Sequence, residues 1–152
     1  MKNCGIIIHT FIVTALWDIV LRVMAENYAR LPPSIQEHQF IKYLIPYFKK
    51  HTVLAAALIA GFVGATTQYI ILYLYRFPTN LKDIYNIITF MLVSFVVSGL
   101  YGFIMKASKL FPHLEETYYK ELGHLGGAYH DGISGLIVQA TLLFLYHIKH
   151  LL

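Results

Sequence analysis

The sequence predicts an all-α, polytopic membrane protein with four transmembrane helices and two short amphipathic surface helices in the long loops. Three observations predict this class. From Thr52 to Tyr75 no charged side chain occurs, a run longer than the roughly 20 apolar residues a helix needs to cross a bilayer. Three further stretches approach the same standard. The composition is 57% hydrophobic and 13% charged, with mean hydropathy +0.58, whereas soluble domains carry about 25% charged residues. The missing charge is missing from the apolar runs, so the chain of 152 residues is read as one integral membrane domain.

The first span, Cys4 to Ala25, is the poorest because Asp18 and Arg22 interrupt it. Four residues apart on a helix, they share one face and can pair. Lys2, the apolar Ile6 to Leu16 and the small-residue pattern Val23-Met24-Ala25 also resemble a cleavable signal peptide. The two charges before the cleavage site favour a retained span.

Leu31-Pro32-Pro33 stops this helix, and Ser34-Ile35-Gln36-Glu37 has the form of a capping box. Apolar residues recurring near helical spacing from Ile35 predict a short amphipathic helix, Ile35 to Ile45, in the headgroup region, ended by Pro46.

The second span, Thr52 to Tyr75, carries Ala57, Gly61 and Ala65 at intervals of four, with Ala60 and Gly64 beside them. The third, Ile84 to Met105, carries Ser94, Ser98 and Gly102 at the same interval. Small side chains let backbones approach in lipid, where no hydrophobic drive exists between helices. These rows predict contact between the second and third spans, which the short Arg76 to Asp83 link makes antiparallel neighbours. A homo-oligomer seam would use the same residues.

In the loop from Lys106 to His130, Pro112 suits a first helical position, Glu115 and Glu116 a first turn, and Gly123 a helix end. A second surface helix, Pro112 to Leu122, follows. After a flexible Gly126-Gly127 the last span runs from Gly132 to Ile148, short for a crossing unless it begins near residue 129.

With four spans, both termini share one side and the long loops share the other. Eight of the twelve Lys and Arg residues fall on the long-loop side: Arg22, Arg30, Lys42, Lys49, Lys50, Lys106, Lys109 and Lys120. The positive-inside rule then puts the long loops in the cytoplasm and both termini outside or in a lumen.

Composition also excludes. The formal charge of +4 and pI near 9.1 are spread over loop ends, with no basic block longer than Lys49-Lys50, so nucleic acid is not an expected partner. The single Cys4 excludes an internal disulfide and a paired-thiol redox mechanism.

Ionisable groups inside spans are costly and therefore functional candidates. Asp18, Arg22, His130 and Asp131 are expected at similar depth, where Asp18, Arg22 and Asp131 neutralise one another. The sharper alternative is a protonatable Asp18 or Asp131 that binds H⁺ or a cation during transport. Gln68 and Gln139 are polar groups in apolar helices and are expected to bond across an interface. By depth, His9 and Gln68 both fall near the terminus side, where they could meet. His113, His124, His130 and Asp131 with Glu115, Glu116 and Glu121 lack the close spacing of helical metal sites, so no metal or other cofactor is expected. Gly132-Ile133-Ser134-Gly135 resembles the Gly-x-Ser-Gly nucleophile motif of rhomboid intramembrane proteases over those four residues. That family takes the serine proton with a His on a later helix, and no helix is expected after the fourth span.

The expectation is a non-enzymatic membrane protein with a structural or assembly role. Its loops 26–51 and 106–130 would dock a peripheral protein, a coat or a capsid shell to the lipid, as in a virion with an internal membrane. The alternative is a small oligomeric cation- or proton-coupled carrier or channel.

Overall fold

The computed structural model describes residues 2–38, 52–107 and 117–151. Helix α1 spans Lys2–Glu26 and is followed by a 3₁₀ turn, Tyr28–Arg30, and a single helical turn, α2, Pro33–Gln36. Three long helices follow: α3, Val53–Leu74; α4, Ile84–Ala107; and α5, Thr117–Leu151. No strand occurs among the described residues. Four of the helices are long and apolar enough to cross a membrane: Asn3–Glu26, Val53–Leu74, Ile84–Met105 and Gly123–Ile148.

Local chemistry sets the helix ends. Asn27 turns back on α1, its backbone N–H and its Nδ2 both donating to the Val23 carbonyl at 3.1 and 2.9 Å. This satisfies a carbonyl that a helix end otherwise leaves open. Tyr28 then donates from its hydroxyl to the Gln36 carbonyl at 2.6 Å, and Gln36 Nε2 donates to the Leu31 carbonyl at 2.7 Å. These two bonds close residues 28–36 into a folded turn. Between α3 and α4, Asn80 Oδ1 accepts from the Lys82 N–H at 3.0 Å, and Asp83 Oδ1 caps α4 by accepting from the Asn86 N–H at 3.1 Å.

The helices alternate in direction. His9 near the start of α1, Phe77 just after α3, and Tyr146 near the end of α5 meet at one end of the bundle. Phe103 and His124 meet where α4 ends and α5 begins. Phe90, Ile71 and Leu142 are fully buried at the centre, and Phe77 folds over them, its ring 5.4 Å from that of Phe90. Outward faces remain apolar: Leu54 is 71% exposed and Phe62 65%. Only 22–33% of each spanning window is buried, too little to shield such helices from water.

Several expectations change. The helical turn after the Pro pair starts at Pro33, whose fixed φ suits a first helical position. Ser34 lies inside that turn rather than capping it, and no side-chain cap forms, so the capping box is not used. Residues 39–51, which hold the rest of the expected Ile35 to Ile45 helix, lie outside the described residues, as do 112–116 of the second surface helix. Helical structure is described from Thr117, and a break falls at Gly123. There φ is 71°, a conformation nearly reserved for glycine. Gly126 and Gly127 are not a flexible link but part of the last helix, which lengthens the apolar segment to Gly123–Ile148. Close packing explains this: a Cβ on Gly99 of α4 would stand 2.8 Å from the Ala128 carbonyl oxygen, so this stretch of α5 lies against its neighbour's backbone.

The small-residue rows also find other partners than each other. The closest pairings are α1 with α3 and α4 with α5. Gly61 faces Phe11, and Gly64 faces Thr14, both on α1; a Cβ on Gly64 would stand 2.8 Å from that of Thr14. On the other pair, Gly135 of α5 faces Ser98, and Gly132 faces Phe95. Ser94 and Ala57 are buried, while Ala65 and Gly102 are half-buried.

Candidate functional site

The chemistry-bearing side chains of the spans form a ladder of polar contacts through the bundle. Near the end of α1, Arg22 Nε donates to Asp18 Oδ2 at 3.4 Å, one helical turn apart, with both side chains buried. Asp131 is half-buried on α5. Asp18, Arg22, His130 and Asp131 all have further polar, ring or electrostatic partners.

Midway along, Gln139 Nε2 of α5 donates to Gln68 Oε1 of α3 at 2.5 Å, with the two residues 2% and 0% exposed. Gln68 Nε2 and Gln139 Oε1 have no hydrogen-bond partner among the described residues. The pair therefore uses half of its central bonding capacity in a place closed to solvent. Trp17 of α1 donates through Nε1 to Thr141 Oγ1 of α5 at 3.1 Å. Nearer the chain termini, His9 Nδ1 and the Tyr146 hydroxyl share a hydrogen bond at 3.3 Å, with their rings edge to face.

The hydroxyl groups mostly satisfy themselves locally. Thr10, Thr67 and Ser94 each donate to the carbonyl four residues earlier at 2.7 Å, a bond that removes the cost of a hydroxyl in an apolar setting. Ser134 is half-buried between Gly132 and Gly135, and both glycines serve close contact with α4.

His9 and Gln68 do not bond to each other: His9 goes to Tyr146 and Gln68 to Gln139. Among the described residues no three His, Cys, Asp or Glu side chains come close enough to share a metal ion. His113, Glu115 and Glu116 lie outside the described residues, and the Glu121 side chain does too. His124 instead packs edge to face on Phe103.

At the end of the bundle that carries the 75–83 link, a cavity of about 1060 Å³ opens between α1, α3 and α5. Its floor is apolar and its rim carries Arg76 and Lys82, with His9 and His147 also among the lining residues.

No family model, curated protein or solved structure matches this chain.

Sequence reading singled out Gln68 and Gln139 as polar groups in apolar helices but not the partners of Trp17 and His9. A signal was present. Gln139, Leu142, Leu143 and Tyr146 recur at spacings of three, four and seven, so they form one face of α5, and that face is the one turned inward. Thr141 carried no such signal, because a lone Thr in an apolar helix bonds its own backbone, as it also does here to the Ile137 carbonyl.

Proposed function

We propose that the chain is an integral membrane protein with a structural or assembly role, a four-helix anchor that holds a peripheral protein layer to the bilayer through its long loops. The observation that carries this reading is the folded turn at residues 28–36. It is fixed by two side-chain hydrogen bonds and presents exposed Ala29, Arg30, Ser34 and Glu37 at the end of the bundle where both long connections emerge. A loop ordered in this way loses less entropy when a partner binds.

The placement in lipid draws on the outward apolar faces and on two tyrosines. Tyr73 at the end of α3 and Tyr85 at the start of α4 are 82% and 87% exposed, beside Arg76 and Lys82. Aromatic rings with a polar tip favour the headgroup level. Lysine and arginine are more numerous on the side of the long connections, which favours that side as cytoplasmic. In this reading the amphipathic parts of those connections lie on the membrane surface and complete the docking platform.

The polar ladder supports a scaffold over a conduit, because the Gln139–Gln68 and Trp17–Thr141 hydrogen bonds each run from one helix to another. The carrier reading rests on the buried Asp18–Arg22 pair. Two measurements separate them. With a photo-crosslinking residue at Arg30 or Glu37 in native membranes, a discrete protein adduct is expected, whereas the same probe at Leu54 or Phe144 should give lipid adducts. Purified protein in liposomes loaded with a pH-sensitive dye should show no flux. Proton or cation flux that disappears in Asp18→Asn or Asp131→Asn would replace the scaffold with the carrier.

A further inference from the structure

The cavity beside the 75–83 link has a composition that the docking role does not use. Its floor is built from Ile6, Leu72, Phe77 and Leu143, and its rim carries Arg76 and Lys82 with His147 and the His9–Tyr146 pair. Among the described residues no Asp or Glu lines it. Among the described residues no carboxylate pairs with Arg76 or Lys82. Arg76 and Lys82 thus overhang an apolar floor, with Asp83 the carboxylate next to them in the chain.

Depth gives the arrangement its meaning. Arg76 lies just beyond the end of the Val53–Leu74 span and Lys82 just before Ile84–Met105, while His147 is one residue from the end of the last span. The rim is therefore level with lipid headgroups and the floor with the start of the acyl chains. The volume, about 1060 Å³, lies just above the roughly 300–1,000 Å³ range of small-molecule sites. It has room for a headgroup and the first part of its chains.

We infer that this cavity is a binding site for an anionic phospholipid, with Arg76 and Lys82 holding the phosphate and Ile6, Leu72 and Leu143 taking the acyl chains. Arg offers a planar fork to two phosphate oxygens and Lys a point charge. Basic pockets between membrane helices recognise acidic headgroups by this chemistry. The site stands on the cavity alone and is independent of what docks on the loops.

The test uses the full chain in detergent micelles doped with phosphatidylglycerol, phosphatidylcholine or inorganic phosphate, read by native mass spectrometry. One phosphatidylglycerol per chain should be retained, phosphatidylcholine should be lost, and millimolar phosphate should leave the bound lipid in place. At about 1 kcal/mol for each surface cation, or about fivefold each, R76Q/K82Q should bind on the order of 25-fold more weakly. R30Q, at the opposite end, should bind as the native chain does. Should R76Q/K82Q fail to purify folded, Leu72→Trp tests the same site by filling its floor and should also lose the lipid. Equal retention of both lipids, unchanged binding in R76Q/K82Q or in Leu72→Trp, or displacement by free phosphate would each overturn the assignment.

Discussion

The bundle contains two kinds of seam, and they are built differently. Within the α1–α3 and α4–α5 pairs, Gly61, Gly64, Gly132 and Gly135 receive the side chains of Phe11, Thr14, Phe95 and Ser98, and Gly99 admits the Ala128 backbone, so the fit is one of shape. Between the pairs stand side-chain bridges: Gln68 with Gln139, Trp17 with Thr141, His9 with Tyr146, and Phe77 against Phe90 and Tyr146. The difference teaches how four helices, each long and apolar enough to cross a membrane, can fix their fold where little of each is buried between helices. Glycine surfaces gain dispersion contact over a long stripe, while a few polar bridges select which stripe-paired units belong together.

The sharpest way to break this picture is to add a branched side chain inside a pair. Gly99→Val would push its Cβ to 2.8 Å from the Ala128 carbonyl oxygen, an obstacle made of backbone that no rotamer change removes. A loss of about 1–3 kcal/mol is expected, read as lowered resistance to thermal or detergent unfolding. Gly61→Val should cost less, because its obstacle is the edge of the Phe11 ring, the far end of a side chain.

Next in size is the bridge between pairs. Gln68→Leu leaves Gln139 buried without its partner and should cost about 1–2 kcal/mol. The double variant Q68L/Q139L should recover most of that, ending within about 0.6 kcal/mol of the native chain. A double variant worse than either single would show that the amide pair supports more than the seam. The smallest effect is expected for Thr141→Val, which takes the acceptor from Trp17 and should cost about 0.6 kcal/mol. If Thr141→Val proved more damaging than Gly99→Val, the division into shape-fitted pairs and polar bridges would be wrong.

Much of the fold was legible in the chain. The absence of charge from Thr52 to Tyr75 marks α3, Pro32-Pro33 marks the turn after α1, and Gly123 marks a backbone break, since only glycine sits easily at φ 71°. Gly126 and Gly127 misled because two glycines read as a loop when their helix is taken alone. Against α4 they are part of a close-packed helix, and the approach of the Ala128 backbone to Gly99 favours small residues there. The cavity was not legible, since its rim comes from the 75–83 link and its floor from α1, α3 and α5, segments far apart in the chain.

By itself the sequence determined that four helices form and that apolar surface covers most of each, because backbone hydrogen bonding and hydropathy act within a segment. Tertiary structure alone decided that Gly61 and Gly64 meet α1 rather than α4, that Gln68 meets Gln139 rather than His9, and that Arg76 and Lys82 overhang an apolar floor. For helices that cross lipid as apolar as their own side chains, one leucine face fits another equally well. Partner choice is left to shape and to the few polar atoms, and both depend on a register that exists only once the helices are side by side.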